Sequence, residues 1–297
     1  MSDSTESLRR KISSAGDLQS VVSTMKALAA SSIGQYERSV RVLDDYHRTV
    51  ALGLGACFRA SHLESSVGST PAESADDAAF GLIIFGSDQG LVGRFNEVIA
   101  DFANGVIAAQ SGSPRIWAVG ERIHARLTDA GLAPVGLYPV PTSIAAVATL
   151  IGQIQVESEK HRALGRYSRV FVLHNRPLTG DLYEPVSQQL LPLDARWEQR
   201  QEKVRWPTAM PPEILGHGTA TLRACIREYL FISLFRACAE SLASENASRL
   251  SAMERAERNI DELLEDLHAR FHRLRQESID SELFDVISGF EALSSNQ

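Results

Sequence analysis

The stretch Gly86-Ser-Asp-Gln-Gly-Leu-Val-Gly93 lies between a short apolar run and a helical pattern, where a nucleotide phosphate could dock on amide groups and a helix N-terminus. Its spacing is GxxxGxxG, which is neither the dinucleotide GxGxxG nor a Walker loop, since no Gly-Lys-Ser/Thr follows. Asp88 would also repel a phosphate. The competing reading is a structural turn in which Gly86, Gly90 and Gly93 allow positive φ and close packing. Farther on, His268 and His272 stand four apart with Glu265 nearly one turn earlier, a spacing that could present metal ligands on one helix face. Arg270 and Arg273 lie beside them and no HExxH glutamate stands between, so a solvated or partner-facing surface is the better expectation. There is no GxSxG elbow, and Cys57, Cys225 and Cys238 form no CxxC. The pair Glu265-Asp266 reads as part of a solvated helix face. No catalytic constellation, cofactor or metal is expected.

Composition narrows the classes further. A net charge of −7 and a pI near 5.7 argue against nucleic acid and anionic membrane surfaces as non-specific partners. Hydrophobic content of 44% and charged content of 23% are those of a folded chain, and 297 residues suffice for two structural units. An odd number of cysteines supplies no disulfide framework, which fits a reducing compartment. Residues Met1 to Arg10 are polar and charged, without the apolar core of an export signal.

These candidates must be positioned by the rest of the chain, and its most demanding stretch is Thr219–Ser288, which contains neither glycine nor proline. A continuous helix of roughly 70 residues would reach about 100 Å, too long for the interior of a globule. Apolar residues recur at Met253, Ala256, Ile260, Leu264, Leu267, Phe271 and Leu274, in steps of three and four, a stripe that needs a partner helix. Arg, Glu and Asp interrupt every window long enough to span a bilayer, so direct membrane insertion is not expected. At the other end of the chain, a seam beginning at Leu18 continues through Val22, Met25, Ala29, Ile33, Tyr36, Val40, Leu43, His47, Val50, Leu54 and Cys57. The two seams require each other. Near Ala27–Ser32 the small residues imply a close crossing, and Gly16 and Gly34 each weaken the first helix by about 1 kcal/mol relative to Ala unless packing holds it.

From Ala60 to Asp77 the chain turns to Ser, Gly, Glu and Pro71, a linker composition. Phe80–Phe85 (FGLIIF) then reads as a strand buried on both faces. Strands are expected at Arg115–Val119, Arg169–His174 and Tyr183–Leu191, and helices at Asn96–Gln110, Glu121–Ala130 and Ser143–His161. That alternation predicts an α/β layer with a largely parallel sheet. Pro207, Pro211 and Pro212 punctuate the exit. The predicted fold is therefore α/β: a long antiparallel coiled coil of N- and C-terminal helices (1–60 and 212–290) with an inserted Rossmann-like α/β domain (78–205).

Several segments also carry a family likeness. Leu242-Ala-Ser-Glu-Asn-Ala-Ser-Arg-Leu-Ser-Ala-Met253 resembles the LASExxARMxAM stretch of the gamma subunit of F-type ATP synthases, and Arg275-Gln-Glu-Ser-Ile-Asp-Ser-Glu-Leu-Phe-Asp-Val-Ile-Ser-Gly289 resembles that family's RQxxITxELxEIVSGA ending. Ser87–Gly93 followed by Asn96 is similar to its glycine turn, and Leu8–Ile12 and Thr24–Ser31 resemble its opening helix. Departures are Gln89 for Arg, Val92 for Cys, Arg94 for Gly, Asp280 for Thr, and Ser32 where Lys is common; they point to a divergent branch such as the alternate, N-type ATPases.

The resemblance implies a non-catalytic rotor, a central stalk inside a ring of catalytic alpha/beta-type subunits, with an epsilon-type subunit and a membrane c-type ring as further partners. It implies a peripheral place on the cytoplasmic face of the cell membrane, with coupling to proton or sodium transport. By motif, Arg249, Arg275, Gln276, Asp280 and Glu282 become contacts to the catalytic ring, and Met25 packs at the same level. A nucleotide-binding α/β enzyme or sensor with a coiled-coil arm, using the turn at Gly86–Gly93, and a homodimeric coiled-coil scaffold are the rival readings.

Overall fold

Two helices dominate the architecture, α1 (Thr5–Glu64) and the last helix, α5 (Gly218–Ser294). Between them come β1 (Phe80–Phe85), α2 (Phe95–Ala108), β2 (Pro114–Val119), α3 (Glu121–Asp129), β3 (Gly136–Tyr138), α4 (Ile144–Ala163), β4 (Arg169–Pro177) and β5 (Tyr183–Leu191). The computed structural model describes residues 4–64, 79–163, 169–178, 183–193, 197, 201, 206–210, 212–214 and 218–294. The predicted linker therefore lies outside the described residues except at its start, where α1 runs on to Glu64, and Pro211 also lies outside them. Both long helices contribute to two units, Met1–Ala29 with Leu250–Gln297, and Ala30–Arg249.

In the first unit the ends of α1 and α5 pack along the predicted stripe. Leu8, Ala15 and Leu267 are buried, with Ile12, Leu264, Phe271 and Leu274 packed against them. Across the seam Arg9 stacks over Phe271, Gln19 donates to Asp261 at 2.6 Å, and Lys26 pairs with Glu257 at 2.7 Å. Numbers rise along α1 as they fall along α5, so the pair is antiparallel. One expectation fails here: Leu18 is 58% exposed. Stepping four and three from Leu8 through Ile12 and Ala15 leads to Gln19 and then Val22, so the seam carries a hydrogen-bonding glutamine where an apolar residue was sought.

In the second unit the sheet has the order β3-β2-β1-β4-β5, parallel except for β5, which pairs antiparallel with β4. Both faces of the central strand are covered, which is why FGLIIF carries no polar side chain at either alternating set of positions. Phe80, Leu82 and Ile84 meet α2 and α3 through Ile99, Ala103, Ile123 and Leu127. Ile83 and Phe85 face the opposite layer, where α4 supplies Val147 and Ile151, α5 supplies Leu234, Cys238 and Leu242, and α1 supplies Tyr36. A third cluster joins Val50, Leu54 and Phe58 of α1 to Tyr229 and Ile232 of α5. Here too the helices run antiparallel, with Asp44 bonded to Arg236 and Tyr46 to Glu228. The edge strand β3 has no counterpart among the sequence expectations: three residues within a Pro- and Gly-punctuated segment carry no readable alternation.

Candidate functional site

The turn after β1 is built from short-range constraints. A Cβ on Gly86 would lie 2.3 Å from the Cβ of Ile123, so α3 approaches too closely for any side chain there. Gly93 has φ +56°, a region costly for other residues, and Leu91 adopts φ +62° nearby. The buried Ser87 and Asn96 clamp the turn: the Ser87 amide donates to Asn96 Oδ1 at 3.0 Å, and Asn96 Nδ2 donates to Ser87 Oγ at 2.8 Å. Asp88 turns its carboxylate onto protein amides, accepting from Glu121 N at Oδ1 and from Val140 N at Oδ2, each at 2.9 Å. The acidic residue that would repel a phosphate thus ties β1 to the start of α3 and to the segment after β3. Gly90 has only Arg122 Nη2 near its would-be Cβ, at 3.8 Å.

The same turn receives α5. Ser248 Oγ donates to Val92 O at 2.5 Å, and one turn earlier Ser244 Oγ donates to Asn175 O at 3.0 Å. Asn175, fully buried at the end of β4, donates in turn to Phe95 O at 3.1 Å. A second set lies farther back along α5. His174 Nε2 bonds Glu240 Oε2 at 2.8 Å, Arg236 Nε donates to Glu240 Oε1 at 2.7 Å, and Arg236 Nη1 reaches Asp44 of α1 at 2.9 Å. Burial pushes the Glu240 carboxyl up, but the hydrogen bonds and charges of His174 and Arg236 more than offset this and leave it below its ordinary value. Glu245 goes the other way: burial raises it, and Arg249 opposes only in part. Sequence reasoning missed the His174–Glu240–Arg236–Asp44 set because its members come from three separate elements. The available signal was a His-Asn pair directly after the apolar run Val170–Leu173.

The residues carried over by motif fall into two groups. Arg275, Gln276, Asp280 and Glu282 are exposed on the distal part of α5. There a groove of about 300 Å³ brings Arg275 and Glu282 beside Glu6, Arg9 and Phe271. Beyond it Leu283, Phe284 and Val286 are 57%, 68% and 70% exposed, an apolar face that α1 does not cover. Arg249 is more enclosed: its side chain is only 13% exposed and pairs with Glu245 at 2.6 Å. Met25 is half-buried on α1. His268 and His272 stack, with ring centroids 6.4 Å apart; among the described residues no three His, Cys, Asp or Glu side chains gather as a metal site, and no helix is long and apolar enough to cross a membrane.

A family model for ATP synthase matches residues 4–293. The chain belongs to the gamma-subunit family of F-type ATP synthases. That family supplies the non-catalytic central stalk of the complex. Three solved structures share the fold. A chain of the Tetrahymena thermophila mitochondrial ATP synthase central stalk and c-ring is 20% identical with a TM-score of 0.55, the match covering 80% of this chain and 99% of that one. A chain of the Euglena gracilis mitochondrial ATP synthase rotor, in rotational state 1, is 17% identical with a TM-score of 0.60 and coverage of 93% and 98%. One from the Euglena OSCP/F1/c-ring assembly, in rotational state 3, is 16% identical with a TM-score of 0.63 and coverage of 98% and 95%.

Proposed function

We propose that this chain is the turning shaft of a rotary ATP synthase, carrying torque between a membrane ion-translocating c-type ring and a catalytic head of alpha/beta-type subunits. The observation that carries this reading is the distal part of α5, where Leu283, Phe284 and Val286 stay exposed beyond the seam with α1 and therefore call for a partner surface. Two antiparallel helices have no rotational symmetry matching a ring, so they must touch each surrounding subunit differently. Such differential contact is the only means by which one subunit can bias the conformational equilibria of others. Turning the pair would take each catalytic site through successive states.

In this reading residues 1–60 and 212–290 form the shaft and residues 78–205 the inserted α/β part. Arg249, Arg275, Gln276, Asp280 and Glu282 contact the catalytic ring, Met25 packs at the corresponding level of α1, and Arg249 is at the same time paired with the buried Glu245. The turn at Gly86, Asp88, Gly90 and Gly93 serves as the structural seat for α5 on the sheet. An epsilon-type subunit is a further partner, and the assembly sits on the cytoplasmic face of the cell membrane. Its departures at Gln89, Val92, Arg94 and Asp280 mark a divergent, N-type branch. The test is reconstitution of the catalytic head with Arg275→Ala/Gln276→Ala: coupling or turnover falls with the double variant, and wild-type behaviour rejects the contact assignment.

A further inference from the structure

Cys57 and Cys225 stand far apart in sequence, on α1 and α5, yet they meet in the second unit. Their thiols share a hydrogen bond. A Cβ on Gly53, one turn before Cys57 on the same face of α1, would lie 3.7 Å from Cys225 Sγ, so the Cys225 sulfur rests directly against that face. Around them the cluster of Val50, Leu54, Phe58, Tyr229 and Ile232 holds the two helices together. Both are free cysteines, and they differ in access, Cys57 being buried and Cys225 half-buried. The third cysteine, Cys238, is fully enclosed in a separate cluster under the sheet, and burial raises its thiol far above the ordinary range.

We propose that Cys57 and Cys225 form a reversible disulfide that staples α1 to α5, driven by a low-molecular-weight disulfide such as oxidised glutathione. This inference is independent of the rotary reading. Cys225, the accessible sulfur, attacks first as its thiolate. A bond forms between Cys225 Sγ and one half of the oxidant, while the other half leaves as a thiolate and takes up the proton lost by Cys225. Cys57, as a thiolate, then attacks Cys225 Sγ and expels the second half, which takes up the proton lost by Cys57. Two protein thiols are oxidised by two electrons in all, and one disulfide is reduced to two thiols. Burial, and then the neighbouring Cys225, push the Cys57 thiol up, which suits it to the second step, inside contact distance, better than to the first.

The test uses the full chain, incubated with oxidised glutathione, alkylated under denaturing conditions and digested with trypsin. The expected result is loss of two of the three alkylatable thiols, restored by dithiothreitol, with peptide Thr49–Arg59 linked to Ala224–Arg227 and the Cys238 peptide unlinked. In Cys57→Ser a glutathione adduct should remain trapped on Cys225, whereas in Cys225→Ser residue 57 should stay unmodified. Retention of three thiols, a stable Cys225 adduct in the unmodified chain, or a link between two chains would each overturn the proposal. Equal reaction of Cys57 in Cys225→Ser would overturn the stated order of attack.

Discussion

Replacing Glu240 by Gln removes one charge and little volume from the set that fastens α5 to β4 and α1. Glu240 accepts from His174 at 2.8 Å and from Arg236 at 2.7 Å, and the glutamate and histidine side chains are only 7% and 5% exposed. Hydrogen bonds to a charged group contribute about 1.5–3 kcal/mol each, and the Arg236 bond belongs at the low end because that side chain is 42% exposed. A carboxamide keeps one weaker acceptor, so the expected loss at neutral pH is about 2–3 kcal/mol. Urea unfolding of the full chain measures it. The pH dependence supplies a sharper check. The folded carboxyl titrates below its ordinary value, so the unfolded chain binds more protons across that window. The glutamate's contribution is therefore complete above the ordinary value and disappears as pH falls through the depressed one, whereas the carboxamide of the Glu240→Gln variant does not titrate. The gap between the two proteins should close in acid. A loss under about 0.5 kcal/mol at neutral pH, or a gap that stays constant into acid, refutes the assignment of this set as a fastening.

Other substitutions probe the helices and the turn. Gly16 and Gly34 have nothing within 4 Å of a would-be Cβ, so Gly16→Ala or Gly34→Ala should each raise stability by about 0.5–1 kcal/mol in thermal unfolding; destabilisation would show that the helix there is not as described. Gly86→Ala forces a carbon to 2.3 Å from Ile123 and should cost about 1–3 kcal/mol or more, while Gly90→Ala, facing only Arg122 Nη2 at 3.8 Å, should cost less than half as much in the same denaturation assay. Leu267→Ala, at a position 6% exposed in the seam, should cost about 2–3 kcal/mol and speed amide exchange in the paired part of α1; unchanged exchange there would argue against the helix pair.

Periodicity carried much of this architecture. Every seam position from Val22 to Cys57 is buried or half-buried, as are Met253, Ala256, Ile260, Leu264, Leu267, Phe271 and Leu274, because a helix that packs against one partner must repeat its apolar residues at the helical period. The seam failed at Leu18, where a residue next to the stripe was mistaken for part of it. Strands β1, β2 and β4 were readable from their apolar runs and β5 from its partial alternation, while β3 was too short to have a pattern. Less visible were the contacts among elements. Nothing local brings His174 to Glu240, Asp88 to the amides of Glu121 and Val140, or Cys57 to Cys225; each pairing exists only after the sheet order and helix register are set. Arg249 shows the limit from the other side, since a motif marked it as a contact but could not show that it spends its charge on Glu245.

The central claim is that this chain turns inside a catalytic ring. The direct measurement is single-molecule observation of a bead fixed to the α/β part after assembly with head subunits immobilised on a surface. ATP should drive continued rotation in one direction, slowing when Arg275 and Gln276 are both replaced by Ala. ATP hydrolysis by an assembled head while the bead stays still would contradict the account.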